Sequence, residues 1–235
     1  MRLMKIGGLE VRIGGGDDGN GAGGGPIVVL LHGFGAPGSD LVPLGQALGA
    51  PQGTRFVFPE APIDLGPEYM GGRAWWWIDL EERLRRQALG VERDVAEVPD
   101  GLDAARAKMD ALLDELQDAV GPAPGMVLGG FSQGAMLSLD VALRSARPLA
   151  GLVLMSGTHI AARQWAMRLD ARRGLPVFMS HGRDDELLPF SVAEGLRDAL
   201  TASGLPVEWV PFRGGHGIPS NVLDRASAFL RRVLA

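Results

Sequence analysis

Cysteine is absent from this chain of 235 residues. Without it there are no disulfides, thiolate metal sites, iron–sulfur clusters or cysteine nucleophiles. Stability must therefore come from packing and hydrogen bonds. Histidine is also scarce, and its four copies form neither an H-E-x-x-H motif nor another close pair that would indicate a zinc site. We therefore expect no bound metal.

Lysine occurs only at Lys5 and Lys108, and acidic residues outnumber basic ones by 28 to 23. The resulting net charge of −5 opposes the phosphate backbone of nucleic acids. Nucleic acid is therefore not an expected partner.

Long hydrophobic runs are missing as well. The longest, residues 27–31 and 149–155, are far shorter than the ~20 residues that a membrane-spanning helix needs. Near the start of the chain, Gly7, Gly8 and Glu10 interrupt any apolar segment of the kind found in signal peptides. The sequence predicts no membrane span and a cytoplasmic location.

What the chain does contain is enough apolar material for one large core. Hydrophobic residues make up 46% and charged residues 22% of the sequence, close to the averages for globular proteins. Its length exceeds the common range of ~100–200 residues per domain, but many α/β enzymes of this size fold as one unit. We expect a single domain over residues 1–235.

Short apolar runs alternate with amphipathic stretches from Pro26 onward, which predicts a mostly parallel sheet with helices on both faces. The first thirteen residues are typical of an edge strand or hairpin. Further strands are predicted at 27–31, 55–58, 126–131, 152–155, 177–180 and 207–212, and helices at 40–48 (capped by Ser39), 102–120, after Ser132, 191–202 and 221–234.

Two stretches do not follow this alternation. Glycine occupies eight of the twelve positions from 14 to 25, which predicts a flexible loop; a phosphate-binding loop is disfavoured because a strand, not a helix, follows it. Residues 60–100 combine prolines, three tryptophans and a charged run. They predict a lid-like excursion over one end of the sheet.

The motif G-x-S-x-G occurs at Gly130–Gly134, between an apolar strand and a helical pattern. A serine on such a sharp strand-to-helix turn projects its hydroxyl above the sheet edge, and flanking glycines avoid collisions in the turn. Ser132 is therefore the candidate nucleophile. The alternative is a serine that merely caps the helix.

A serine hydroxyl needs a base, and the base needs a carboxylate that fixes its tautomer. Asp184 and Asp185 follow one predicted strand and His216 follows the last one, so the order is Ser, Asp, His. Strand carboxyl ends meet at one edge of a parallel sheet. His216 is the favoured base, whereas His32 and His181 sit where histidines usually brace loop backbone.

Acyl transfer also requires backbone amides that bind the developing oxyanion. The glycine-rich turn after the first central strand places the amide of Phe34 in position for this role. The amide of Gln133, directly after the nucleophile, is the expected second donor. A plain turn at Phe34 is the alternative.

The blocks LLHGFG, GFSQG, HGRDDELLP and GGHGIP resemble, in order and spacing, the phospholipase/carboxylesterase family of α/β-hydrolases. The similarity runs from about Pro26 to the C-terminus and implies the α/β-hydrolase fold. It also implies that Asp185, three residues past the glycine of the His-Gly pair, is the acid, rather than Asp184.

The segment RAWWWIDL is similar to an aromatic segment near the acyl site in that family, although residues 80–100 are expanded and charged here. Consecutive side chains in an extended segment alternate faces, so at least one of the three tryptophans should point away from the others. Trp75, Trp76 and nearby Met70 are therefore predicted to bind the substrate; a purely structural role is the alternative.

Together these features predict a carboxylesterase-type serine hydrolase that cleaves esters or thioesters with an apolar acyl chain through an acyl-enzyme intermediate, without a cofactor. Its partner would be a small-molecule ester or thioester. The alternatives are lysophospholipase or acyl-protein thioesterase activity, and a catalytically silent hydrolase fold that binds small molecules. The sequence does not specify the substrate or the oligomeric state.

Overall fold

The computed structural model describes residues 1–91 and 94–235, except for the side chain of Gln87. Its short apolar runs form strands, since such residues pack well in a sheet that is covered on both faces. In chain order the strands are β1 (Arg2–Ile6), β2 (Leu9–Gly15), β3 (Ile27–Leu31), β4 (Arg55–Pro59), β5 (Ile63–Asp64), β6 (Arg73–Ala74), β7 (Met126–Phe131), β8 (Gly151–Met155), β9 (Val177–Gly182) and β10 (Val207–Phe212).

Helices connect most of these strands. They are α1 (Leu44–Ala47), α2 (Leu80–Ala88), α3 (Leu102–Val120), α4 (Gln133–Arg144), α5 (Ala162–Ala166), α6 (Phe190–Ala202) and α7 (Ser220–Val233), with 3₁₀ turns at Pro67–Tyr69 and Leu169–Arg172. Within the described residues no helix has both the length and the apolar character needed to cross a membrane.

Eight strands form the central sheet in the order β1-β2-β4-β3-β7-β8-β9-β10. The strands from β4 to β10 in this order pair in parallel, and only the β1–β2 hairpin and its junction with β4 are antiparallel. The predicted mostly parallel sheet is confirmed. The chain leaves β3 toward β4 on one side and later returns to pair β7 on the other. Parallel sheets bind ligands in the crevice at the carboxyl end of such a switch point.

The core has two layers, one on each face of the sheet. Alternate residues of β3 point to opposite faces: Val28 and Leu30 pack with the α7 side, whereas Val29 packs with the α3 and α4 side. Helix α3 matches its predicted bounds, and its buried residues repeat at the three- and four-residue spacing seen in the sequence: Leu102, Ala105, Met109, Leu112, Leu113, Leu116 and Val120.

The predicted helix at 40–48 is wrong in its extent. Only residues 44–47 are helical, Ser39 does not cap them, and the preceding residues form hydrogen-bonded turns such as Asp40 N to Pro37 O at 2.9 Å. Pro43 explains the difference. Proline lacks the N–H that a longer helix would require, and it disfavours helical backbone at the residue before it.

The glycine-rich stretch continues β2 and contacts the start of β4. Gly14 and Gly15 extend β2, so the loop starts later than predicted. The amide of Gly16 then donates to Thr54 O at 2.9 Å, and Asp18 Oδ1 accepts the amides of Asn20 and Ala22. The stretch thus has a defined set of hydrogen bonds, and no helix N-terminus follows it.

The predicted excursion begins after β4 and crosses the carboxyl end of the sheet. It contains the two-stranded β5–β6 hairpin and helix α2, which the sequence reading did not predict. Near its end, the carbonyls of Val95 and Glu97 accept hydrogen bonds from the amides of Ala162 and Ala161 at 2.8 and 2.9 Å. These contacts hold the end of the excursion against the start of α5, which follows β8.

Candidate active site

Four loops meet at the carboxyl end of the sheet. They follow β3, β7, β9 and β10 and carry Phe34, Ser132, Asp185 and His216 respectively. These strands all run parallel to one another, so their carboxyl ends lie at the same edge of the sheet. Each loop is short, which fixes its side chains close to the strand that precedes it.

Ser132 lies between β7 and α4 with φ 55° and ψ −118°, a conformation that non-glycine residues rarely adopt. Its amide donates to Met155 O at 2.9 Å, and its carbonyl accepts the amides of Ala135 and Met136 in the first turn of α4. The strained backbone therefore lifts the hydroxyl above the sheet edge at the N-terminus of a helix, as the motif predicts.

The glycines on both sides of Ser132 allow this turn. A Cβ on Gly130 would lie 2.4 Å from Leu31 O, and one on Gly134 would lie 2.1 Å from the same atom. No alanine fits at such distances without a backbone shift. The expected reason for the glycines, collision in a tight turn, is confirmed.

Asp185 and His216 are brought together by the ends of β9 and β10. His216 Nδ1 donates to Asp185 Oδ2 at 2.7 Å. This bond leaves Nε2 of the imidazole as the nitrogen available to accept a proton. The Asp185 carboxylate is fully buried, whereas 15% of the His216 side chain remains exposed. The imidazole also packs against the ring of Phe131 at 4.7 Å.

The Asp185 carboxylate is held by several donors besides His216. Its Oδ1 accepts the amides of Leu187 and Leu188 at 3.0 and 2.9 Å, and His181 Nε2 lies 3.3 Å from Oδ2. Burial alone raises the pKa of Asp185, but the hydrogen bonds from His216 and Leu188 outweigh it and hold the pKa below its ordinary value. Asp185 is therefore ionised at neutral pH.

The neighbouring Asp184 points elsewhere. Its Oδ2 accepts the amide of Gly214 at 3.1 Å, and the carboxylate lies at the surface. Asp184 thus braces the loop that carries His216, while Asp185 contacts the imidazole itself. The structure brings together the pair that the family resemblance selected.

The two predicted oxyanion donors, the amides of Phe34 and Gln133, belong to residues close to Ser132. Gln133 N begins helix α4, and Phe34 lines the same cavity as Ser132. Within the part of the chain that the structure describes, neither amide donates to a protein acceptor. Both are therefore available to a substrate oxygen.

Sequence reasoning assigned a role only to the amide of Gln133, but its side chain is buried and has a separate role. Oε1 accepts the amide of Trp75 at 2.9 Å, and Nε2 donates to Trp76 O at 2.8 Å. The glutamine in GFSQG thereby attaches the tryptophan segment to the turn that carries Ser132. A buried amide between two loops cannot be recognised from one sequence alone.

A cavity of about 150 Å³ opens beside Ser132 and His216. This volume is below the roughly 300–1,000 Å³ of sites for drug-sized ligands. Most of its wall is apolar and comes from Ile78, Leu80, Leu84, Met136, Leu187 and Leu188. Such a wall suits a hydrocarbon chain.

The prediction that Trp75, Trp76 and Met70 line this cavity is wrong for this structure. Trp75 and Trp76 are 1% and 2% exposed in the core, and the indole of Trp75 donates to His32 O at 3.0 Å. Met70 is 92% exposed in a left-handed turn. Gln133 and His32 hold the first two tryptophans inward, away from the cavity.

Trp77 is 57% exposed and does point away from the other two tryptophans, as alternation predicts. Its ring meets the edge of Phe34 at 6.3 Å.

Helix α2 supplies part of the cavity wall that sequence reasoning missed. Leu80, Arg83 and Leu84 line the cavity from one side of this helix. Leu80 and Leu84 are four residues apart, a spacing that places both on one side of a helix. The charged residues from Glu81 to Arg86 made this pattern hard to recognise.

His32 has a bracing role, as its position after β3 indicated. Its Nδ1 donates to Gly33 O at 2.8 Å and its Nε2 accepts the amide of Ala61 at 3.1 Å. This side chain therefore connects the loop after β3 to the start of the excursion. Across residues 1–91 and 94–235, no group of three or more histidine and carboxylate side chains is arranged to hold a metal ion.

Known proteins resemble this chain in sequence and in structure. The profile of the Phospholipase/Carboxylesterase family matches residues 24–234. An acyl-protein thioesterase 1 from Eremothecium gossypii is 31% identical over 212 residues, covering 86% of both chains. That of Gibberella zeae is 28% identical and covers 88% of this chain and 90% of its own. The crystal structure of esterase PE8 is 33% identical over the full length of both chains, with a TM-score of 0.76.

The fold and the site define an α/β-hydrolase with a serine nucleophile motif. The chain belongs to the phospholipase/carboxylesterase family, and the resemblance seen in its four sequence blocks is confirmed.

Proposed function

We propose that this chain hydrolyses carboxylic esters or thioesters with an apolar acyl chain, with Ser132, His216 and Asp185 as the catalytic triad. The observation that carries the proposal is the 2.7 Å hydrogen bond between His216 and the buried Asp185, beside the strained turn of Ser132. Family membership agrees with a hydrolase of this type.

In the first half of the reaction, His216 Nε2 takes the proton of the Ser132 hydroxyl as Oγ attacks the substrate carbonyl carbon. Asp185 keeps Nδ1 protonated and stabilises the imidazolium that forms. The amides of Phe34 and Gln133 bind the oxyanion. Cleavage of the C–O or C–S bond then releases an alcohol or thiol, which receives the proton from His216.

In the second half, a water molecule gives its proton to His216 and attacks the acyl carbon. The bond to Ser132 Oγ breaks, and the proton returns from His216 to the serine. The free carboxylic acid leaves, and the enzyme regains its starting state. No electron donor, metal or cofactor takes part in this sequence.

The apolar wall beside Ser132 would hold the acyl chain. Each methylene group buried there contributes about 0.8 kcal/mol, so the cavity favours substrates whose chain fills it. Its volume of about 150 Å³ suits short and medium chains more than long ones.

Acyl-protein thioesterase activity is the second candidate, because two relatives with this name align with most of the chain. The same triad would serve both reactions, since only the leaving group differs. Matched O-hexanoyl and S-hexanoyl substrates distinguish the two by their kcat/KM values.

The test is active-site labelling with a fluorophosphonate probe, which reacts only with an activated serine. We expect the wild type to be labelled and Ser132→Ala to lose both labelling and turnover. The loss of one hydroxyl in this turn removes little packing, so the variant should keep the wild-type circular dichroism and melting temperature. Labelling that persists in a folded Ser132→Ala protein would place the nucleophile elsewhere.

A further inference from the structure

The cavity wall contains one basic side chain among its apolar residues. Arg83 lines it from helix α2, on the same side of the helix as Leu80 and Leu84. The cavity also contains Ser132 and His216. Arg83 is therefore a basic residue in the wall of the cavity that Ser132 and His216 also line.

Among residues 1–91 and 94–235, Arg83 has no ion-pair partner. Its Nη2 is buried and has no hydrogen-bond partner in the described part of the chain, and no carboxylate there lies within 4 Å of the guanidinium. By contrast, Arg85 on the same helix is exposed and pairs with Glu82 at 2.6 Å. Buried polar groups without a partner are rare and costly, so this one needs an explanation.

The acidic groups around Arg83 do not provide that explanation. Burial lowers the pKa of the Arg83 guanidinium, and Glu97 and Asp185 oppose this effect only through their charge. Asp185 already uses both carboxylate oxygens for other donors. Asp40 also lines the cavity, but it is exposed and makes no ion pair with Arg83.

We propose that Arg83 is a specificity residue that binds a carboxylate carried by the substrate, so that the preferred substrates are anionic esters or thioesters. This inference rests on the proposed hydrolase function. Arginine suits the role because its planar fork of donors can hold a carboxylate through two parallel hydrogen bonds. The leucines beside it would contact the hydrocarbon part of the same substrate.

The carboxylate could be carried by the acyl chain or by the leaving group, and two pairs of substrates distinguish these sources. The first pair is 4-nitrophenyl hexanoate and the 4-nitrophenyl monoester of adipic acid, which have six acyl carbons each. The second pair is the acetyl ester of 4-hydroxybenzamide and that of 4-hydroxybenzoate. In each pair, the ratio of kcat/KM for the anionic over the neutral substrate is measured.

We expect Arg83→Met to lower this ratio by about tenfold in one of the two pairs, which is near the lower end of what a hydrogen bond to a charged group contributes. Arg83→Lys should keep part of the preference, because it retains the charge but not the fork. Asp40→Asn should raise the ratio, since it removes an opposing charge from the cavity wall.

The matched control is Arg85→Met, which removes an exposed arginine from the same helix and should leave both ratios unchanged. A ratio that falls by less than threefold in both pairs for Arg83→Met would overturn the proposal. If Arg83→Met lowered kcat/KM equally for neutral and anionic substrates, the ratio would not change, and Arg83 would have a positioning or packing role instead. Failure of the proposed function itself would be distinct, because the wild type would then not hydrolyse even the neutral esters through Ser132.

Discussion

At the scale of single residues, steric constraints determine the identity of residues at this site as much as chemical function does. Ser132 keeps a positive φ that costs about 1–3 kcal/mol in a non-glycine residue. Neighbouring backbone atoms leave no room for a side chain at Gly134. The reactive geometry is therefore enforced by close packing between the turn and the end of β3.

Substitution of Gly134 by alanine tests this packing. The added Cβ would lie 2.1 Å from Leu31 O, so the turn or strand β3 must move. We expect a loss of about 1–3 kcal/mol in the free energy of unfolding, typical of overpacking, and a large drop in kcat. Urea denaturation and ester hydrolysis measure the two effects.

Gly195→Ala is the matched control. This glycine lies in the exposed part of helix α6, and nothing lies within 4 Å of a Cβ placed there. Alanine should stabilise that helix by about 0.5–1 kcal/mol. If Gly134→Ala were equally harmless, the close approach to Leu31 would not constrain the turn.

The two adjacent aspartates should differ sharply when each is changed to asparagine. Asp185→Asn removes the charge beside His216 and allows the wrong imidazole tautomer, so we expect kcat to fall by about 10⁴-fold, as in other Ser-His-Asp triads. Asp184→Asn affects only a loop contact to Gly214 and should lower kcat by less than tenfold. The reverse ranking would move the acid by one position.

The candidate triad could be predicted from the sequence because each of its three residues lies in a short motif of its own. A serine between glycines, an aspartate after a His-Gly pair and a histidine after the last strand each carry a short motif. The positions of the tryptophans were predicted wrongly because they depend on contacts with residues far away in the sequence. Alternation separates Trp77 from its neighbours, but the inward position of Trp75 and Trp76 depends on Gln133, fifty-seven or more positions away.

At the level of whole elements, the excursion lines part of the cavity at the carboxyl end of the sheet. Helix α2 closes one side of the cavity with Leu80 and Leu84, while Leu187 and Leu188 contribute from the loop after β9. The side chain of Leu84 is still 50% exposed, so it forms the rim more than the floor.

Shortening this rim should change the preference for acyl length. We expect Leu84→Ala to lower kcat/KM for a hexanoyl ester more than for an acetyl ester, by about three- to tenfold, because each lost methylene contact is worth about 0.8 kcal/mol. Steady-state kinetics on the two esters give the ratio directly.

Leu89→Ala serves as the control, since Leu89 is 71% exposed and lies outside the cavity. The ratio of kcat/KM for the hexanoyl over the acetyl ester should be the same in Leu89→Ala as in the wild type. An equal loss on both esters in Leu84→Ala, together with a lower melting temperature, would mean that this leucine only stabilises the fold.

The longer strands and helices were predicted well, and the shortest elements were not. Strand β7, strand β10 and helix α3 match their predicted bounds because their own hydrophobic periodicity specifies them. Strands β5 and β6 have two residues each and form through contacts with one another. Helix α2 has only nine residues, and most of them are charged or polar. Such elements carry little signal in their own sequence.

At the scale of the molecule, the buried His32 and His181 and the partly buried His159 link stability to pH. Burial lowers the pKa of His32, His159 and His181, so each binds a proton less readily in the folded state than in the unfolded chain. In the unfolded chain each would bind a proton below its ordinary pKa of about 6.5. Acid therefore favours the unfolded state, and stability rises with pH across this range.

We expect the free energy of unfolding to fall as the pH is lowered from 7.5 to 5.5, by up to about 1.4 kcal/mol per pH unit for each histidine below its ordinary pKa. His159→Gln should have a shallower dependence, because one proton fewer is taken up. His159 is only partly buried, and its ring stacks on Trp165 with 5.6 Å between the ring centroids, a contact that the flat amide of glutamine can partly replace. Urea denaturation at several pH values measures both proteins; identical slopes would contradict the assignment of His159.

Two sets of hydrogen bonds hold the ends of the second half of the excursion. The Gln133 side chain holds the backbone of Trp75 and Trp76 at one end, and the amides of Ala161 and Ala162 hold Glu97 and Val95 at the other. Between these anchors lies helix α2, which shapes the cavity but carries no member of the candidate triad. The segment between these two sets of hydrogen bonds is therefore suited to replacement in protein engineering. A different segment there would change the substrate preference without altering the candidate triad.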